Sequence, residues 1–172
     1  MRNFDIITAQ SRASIEKEDL KVLLPLIAAI KPEKIIEIGM HQGYSMEIWR
    51  KAFNPKLLLG IEINSPTPSS YINEEFMFWD INSHTFANEI TGKNLYDFLF
   101  IDGDHSYAGV KDDFEKYSHF VRTGGIIALH DVCYHAEKTE EVDILWQEIK
   151  KLYPYIEIKV GKNSTGIGVI FV

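Results

Sequence analysis

Short apolar runs alternate along this chain with stretches whose apolar residues recur at helical spacing. Runs at 34–38, 57–62, 75–79, 96–102 and 126–129 predict strands, and the fourth is nearly all apolar, as a strand covered on both faces should be. Helices are predicted over 15–30, 44–53, 83–90 and about 109–120. In the first, positions 20, 23, 24, 27 and 28 share one face, and Pro25 is expected to kink or split it. The second should face the sheet with Tyr44, Ile48 and Ala52. In the last, Asp112, Asp113 and Glu115 read as a solvated face. Residues 1–13 look polar and irregular, 64–70 is a loop with two prolines, and Gly124-Gly125 should turn into the fifth strand. Thr139 should cap a further helix, with Glu140 and Glu141 in its first turn and Lys150 and Lys151 in its last, matching the helix dipole at both ends. Two strands remain, 155–160 and 167–172, and the turn-rich link between them is too short for a crossover, so they should be antiparallel. The pattern is that of an α/β fold: one doubly wound sheet, mostly parallel, with an antiparallel C-terminal strand. One domain spans 1–172, a helical segment over 1–30 preceding a core over 31–172.

The stretch EIGMHQGYS, 37–45, joins the first strand to the helix that follows it. Strand, glycine turn and helix bring backbone N–H groups and a helix N-terminus beside a bound ligand. Gly39 can take the tight turn and Gly43 lets a ligand approach the backbone. Glu37 ends the strand, where its charge repels phosphate and suits a cationic ligand such as an amino acid carrying a sulfonium. Glu62, at the tip of the second strand, is placed to hydrogen-bond both ribose hydroxyls. The combination favours a nucleoside-type ligand over the alternative of a plain strand-end glycine turn with a surface acid. The loop lacks the G-x-G-x-x-G spacing that admits a pyrophosphate, which disfavours a nicotinamide-dependent oxidoreductase.

Charge and composition narrow the partners. A net charge of −7 leaves no basic face for nucleic acid. The single cysteine, Cys133, excludes an internal disulfide and fits a reducing compartment. The opening residues lack the apolar core of a signal peptide, and the longest apolar run, 22–30, is broken by Pro25 and too short to span a bilayer. No membrane partner and a cytoplasmic location are expected.

EIGMHQGYS, GIEIN, FIDGDHSY and LHDV follow one another on successive predicted strands. In this ordered set the chain resembles the class I S-adenosylmethionine-dependent methyltransferases. It is most similar to the metal-dependent branch that includes catechol O-methyltransferase and the macrocin-type sugar O-methyltransferases, over roughly residues 30–172. The resemblance implies a Rossmann-like seven-stranded sheet, S-adenosylmethionine as cofactor, and a hydroxyl on a small molecule as acceptor. By position, Glu37, Gly39 and Gly43 would surround the methionine part, Ser45 would bond its carboxylate region, Glu62 would hold the ribose and Asp80 the adenine amino group. Trp79, bulky where relatives place a small residue, either stacks on adenine or belongs to the core.

Asp102 and Asp131 follow strands four and five, on the carboxyl edge where open α/β sheets bind ligands, and offer the oxygen ligands that Mg²⁺ prefers. The alternative is that they only cap the turns there. Related metal-dependent enzymes carry an acid at the position of His130. His130 is either a ligand, which shifts preference toward Mn²⁺ or another imidazole-tolerant ion, or a residue behind the ligands. His105, three residues after Asp102, stands where catechol-type enzymes place a base, and is either that base or a loop histidine. The segment HDVCYH crowds its candidate ligands too closely for a structural zinc, and Cys133 reads as a small buried residue. His84 and His119 need no functional explanation. The expected reaction is O-methylation of a vicinal diol, in a sugar-like or polyphenolic molecule, with Asp102 and Asp131 holding the metal and His105 taking the proton. Short loops leave the crevice open, so a second subunit of a homo-oligomer could help close it. The same brevity supports a rival reading, a protein that binds S-adenosylmethionine without turnover or serves as a subunit of a larger complex.

Overall fold

Residues 35–38 are all buried, Glu37 included, and β1 (Lys34–Ile38) lies inside the sheet, paired in parallel with β2 (Leu57–Glu62) and β4 (Tyr96–Ile101). The computed structural model describes residues 3–62, 76–80, 83, 87, 88, 90, 92, 95–133 and 141–172. With β3 (Phe76–Asp80), β5 (Val121–His130), β6 (Tyr155–Ile158) and β7 (Ile167–Phe171), the strands form one seven-stranded sheet in the order β3-β2-β1-β4-β5-β7-β6. Strands β1 to β5 pair in parallel, and β7 runs antiparallel to both its neighbours. The strand order reverses between β1 and β4, which opens a crevice at their carboxyl ends, where such sheets bind ligands.

Helices cover both faces. On one, α2 (Lys17–Ala29) and α3 (Tyr44–Phe53) bury Leu20, Leu24, Ile27 and Trp49 against Ile35, Phe98 and Phe100. The Trp49 ring meets Phe98 and Phe100 edge-on, each at 5.4 Å between centroids, a geometry worth about 0.5–1.5 kcal/mol per pair beyond burial. On the other face, α4 (Tyr107–Tyr117), the 3₁₀ turn Ser118–Phe120 and α5 (Val142–Ile149) bury Val110, Tyr117 and Trp146 against Ile36, Leu99 and Ile127.

Several expectations need correcting. Residues 4–9 are helical, not irregular: Asn3 caps α1 (Phe4–Ala9) by accepting from the N–H groups of Asp5 and Ile6, and the Phe4 ring packs on Phe53. Pro25 does not split α2, because it faces solvent, where the carbonyl that loses its helical donor can bond to water. Helix α3 buries Ile48 and Ala52 as expected, together with Met46 and Trp49, while Tyr44 is only half-buried. Helix α4 starts two residues early because Ser106 caps it, accepting from the Gly109 N–H at 3.1 Å. Asp113 is buried rather than solvated and accepts from the Ser83 hydroxyl at 2.6 Å. Gly124-Gly125 lies within β5, where Gly124 adopts φ +77°. Glu141, expected in the first turn of α5, is its N-cap residue, and Lys150 follows the helix. Thr139 and Glu140, the 64–70 loop, His84 and most of the helix expected over 83–90 lie outside the described residues.

Candidate active site

Residues from four strand ends meet at the carboxyl edge. Gly39 follows β1 with φ +84°, and a Cβ there would sit 2.1 Å from the Asp102 carbonyl oxygen. The glycine is therefore required by the approach of the β1 and β4 ends to each other. The Asp102 N–H donates to the Ile38 carbonyl at 2.9 Å, which ties them together. Gly43, φ +77°, turns the chain into α3.

Glu37 is fully buried beneath this turn, and its two oxygens accept from the Ser45 hydroxyl and, at 2.6 Å, from the Trp49 indole N–H. Burial dominates its ionisation, pushing the pKa up to about 8 against the lowering effect of the two hydrogen bonds. At neutral pH it is mostly a neutral acid. Glu37 and Ser45 are thus engaged with each other and shape the turn from below. Glu62 ends β2 and accepts from the His41 N–H at 2.7 Å, holding the loop at a left-handed His41. Asp80 pairs with Glu62 in register at the end of β3; the readings of the Asp80 and Trp79 side chains lie outside what is described.

The second cluster comes from β4 and β5. His105 lies in the loop into α4, fixed because Asp104 accepts from the Ser106 N–H and the His105 carbonyl accepts from the Glu141 N–H. Its imidazole bridges two acids, Nε2 3.3 Å from Asp102 Oδ1 and Nδ1 3.3 Å from Asp131 Oδ2. Asp131 follows β5 in a left-handed conformation, φ 61°. Asp102, His105 and Asp131 each offer a ligand atom within 4.8 Å of the others, two hard oxygens and an imidazole nitrogen that suit a divalent cation. His130 is buried behind them, its Nδ1 3.1 Å from Asp102 Oδ1 and its Nε2 3.4 Å from the Thr165 hydroxyl. Both its ring nitrogens are engaged, and it stands outside the converging trio. Burial favours its neutral ring, yet Asp102 and Asp131 outweigh that and hold its pKa at about 10. Burial likewise opposes the Asp102 charge, but hydrogen bonds from His105 and His130 keep that carboxyl below its ordinary range. His105 is raised, first by its bond to Asp102.

Two cavities open here. One, of about 250 Å³, is lined by Arg12, Ile15, Met40, Gln42, Tyr44 and Ser45. The other, of about 320 Å³, is lined by Glu16, His105, His130, Asp131, Asn163 and Thr165. Ser14, Gly39, His41 and Asp102 border both. Sequence reasoning missed the N-terminal contributors Arg12, Ser14 and Glu16, which show no periodicity. It also missed Asn163 and Thr165, although antiparallel pairing of β7 with β5 places the residues before Ile167 beside His130.

A search of curated proteins finds no match. Among solved structures, a Staphylococcus aureus protein described as a caffeoyl-CoA O-methyltransferase superposes with TM-score 0.72 at 18% identity, covering 99% of this chain and 92% of that one. The Podospora anserina methyltransferase PaMTH1, bound to S-adenosylhomocysteine, gives 0.68 at 14% identity, over 98% and 85% of the two chains. MycE of the mycinamycin biosynthetic pathway, in complex with Mg, S-adenosylhomocysteine and mycinamycin VI, gives 0.69 at 14% identity; 98% of this chain corresponds to 54% of MycE. At these identities the likeness shows the fold. The sequence profile of the methyltransferase-domain family matches residues 36–132, more than half of the chain, from within β1 past Asp131. With the glycine turn, the acid-tipped β2 and this sheet order in place, the chain belongs to the methyltransferase-domain family and is a class I S-adenosylmethionine-dependent methyltransferase.

Proposed function

We propose that the chain methylates a hydroxyl of a small molecule, a vicinal diol of sugar-like or polyphenolic type, with help from a divalent cation. The observation that carries this is Asp102, which borders both cavities and so links the glycine-turn cradle to the Asp131 and His105 cluster. In this reading Gly39, Gly43 and Glu62 hold the cofactor, over a floor of Glu37 and Ser45, and Asp80 reaches its adenine end. Asp102 and Asp131 hold the metal, which when bound acidifies and orients an acceptor oxygen. His130 orients Asp102, and His105 takes the acceptor's proton. The MycE complex, with Mg and a macrolide in one protein of this fold, supports the combination.

The 4.8 Å convergence favours a second role for His105, as third metal ligand. His105→Ala separates the two. A base-only role predicts lower kcat with unchanged affinity for Mn²⁺ and for S-adenosylhomocysteine, whereas a ligand role predicts weaker Mn²⁺ binding as well. The reaction itself is tested by S-adenosylhomocysteine formation with a vicinal diol against its mono-methylated analogue, at saturating cofactor and metal. Equal kcat/KM for the two would remove the preference for diols. No turnover across sugars and phenols, with cofactor still bound, would favour a binding protein without catalysis. Residues 12–16 border the cavities from the N-terminal side, so the crevice is less open than short edge loops alone would leave it, which disfavours that rival.

A further inference from the structure

The cofactor's amino-acid end carries a carboxylate, yet the crevice is acidic. Glu62 and Asp102 border the glycine turn, above the neutral acid of Glu37. Ser45, the residue expected to meet that carboxylate, gives its hydroxyl to Glu37. An anion entering among acids needs a cation to offset its desolvation. Among the described residues lining the two cavities, Arg12 is the one lysine or arginine. It belongs to the connector between α1 and α2, and its guanidinium carbon lies 4.4 Å from the centroid of the Tyr44 ring, at the first residue of α3. Its Nη2 also lies 3.7 Å from a Glu47 carboxylate oxygen. The α3 N-terminus, whose first amides have no helical acceptor, opens at the same place.

We propose that Arg12, carried to the cradle by the α1–α2 connector, is the counter-ion for the carboxylate of the cofactor's amino-acid moiety. This rests on reading the cradle as the S-adenosylmethionine site. Tyr44 supplies a flat surface that keeps the guanidinium over the cavity mouth, so little side-chain freedom is lost when the ligand arrives. The Arg12 side chain is 51% exposed, so solvent screens the pair and the effect should be moderate and salt-dependent.

The test compares two ligands that differ at this end, S-adenosylhomocysteine and 5′-methylthioadenosine, which lacks the amino-acid group. Dissociation constants are measured by calorimetry on the full chain and on Arg12→Gln and Arg12→Lys. Arg12→Gln should weaken S-adenosylhomocysteine about tenfold and leave methylthioadenosine within about twofold. Arg12→Lys should keep most of the affinity. Rising ionic strength should weaken S-adenosylhomocysteine binding to the unsubstituted chain more than to Arg12→Gln. An unchanged affinity in Arg12→Gln, or equal loss for both ligands as a purely structural role would give, would overturn the proposal. If the unsubstituted chain bound neither ligand, the cofactor reading itself would fall, and the proposal with it.

Discussion

Glu37 shows how one residue's surroundings change its role. From the sequence it reads as a strand-end acid facing a cation; in the structure it is a buried acid under Ser45 and Trp49. Its partners lie on α3, one helical turn apart, a spacing visible in the sequence once the strand end and the helix are both assigned. Its pKa, raised from 4.5 to about 8, means that the folded state holds a proton the unfolded state releases. The contribution of Glu37 to stability is therefore complete below pH 4.5 and is lost as pH rises toward 8, at ~1.4 kcal/mol per unit within that window. Glu37→Gln removes the titration and can still accept from Trp49 while its amide donates to the Ser45 oxygen. The melting temperature of Glu37→Gln relative to the unsubstituted chain should therefore climb from pH 5 to pH 8. A difference that stayed constant across that range would show that Glu37 does not titrate there.

At the scale of elements, strands and helices with strong periodicity were legible: β1, α3 and β2 occupy the spans the apolar pattern predicts. What was not legible depended on partners distant in sequence. Helix α1 is six residues long, too short to announce itself, and exists because Phe4 docks on Phe53. The β5 extension through Gly124-Gly125 follows from pairing with β4, where the register shifts between Tyr96 and Phe98. Asp97 is a further case. It accepts from the N–H groups of Glu33 and Lys34 at 2.8 Å each and from Arg122 Nε at 2.5 Å, clamping the starts of β1, β4 and β5. Partial burial opposes its charge, but Arg122 and the two backbone donors outweigh it and hold the pKa below the ordinary 3.8. Its stabilisation is thus present above that value and lost as pH falls through the lower folded one. Asp97→Ala should cost about 1–3 kcal/mol at neutral pH, read as a lower urea midpoint. An unchanged midpoint would mean that the clamp contributes nothing.

At the scale of the whole molecule, the cavity under the glycine turn and the cavity holding His105 and Asp131 are separate but share the Asp102 wall. Removing divalent metal with a chelator should therefore abolish turnover while S-adenosylhomocysteine still raises the melting temperature. Full activity in excess chelator would assign Asp102 and Asp131 to structure alone. Among the described residues no helix is long and apolar enough to cross a membrane. Helix α1 has a consequence for the chain as a whole. Six residues cannot sustain a helix by hydrogen bonding, so α1 depends on docking against α2 and α3. A unit held only by docking is expected to open without the sheet opening, and Arg12, in the connector that follows it, would leave with it. Backbone amides of α1 should therefore exchange with deuterium far faster than those of β4. Cofactor held by Arg12 should slow that exchange and leave β4 unaffected. Access to the cradle would then be gated by a local unfolding step, and protection in α1 equal to that in β4 would exclude such a gate.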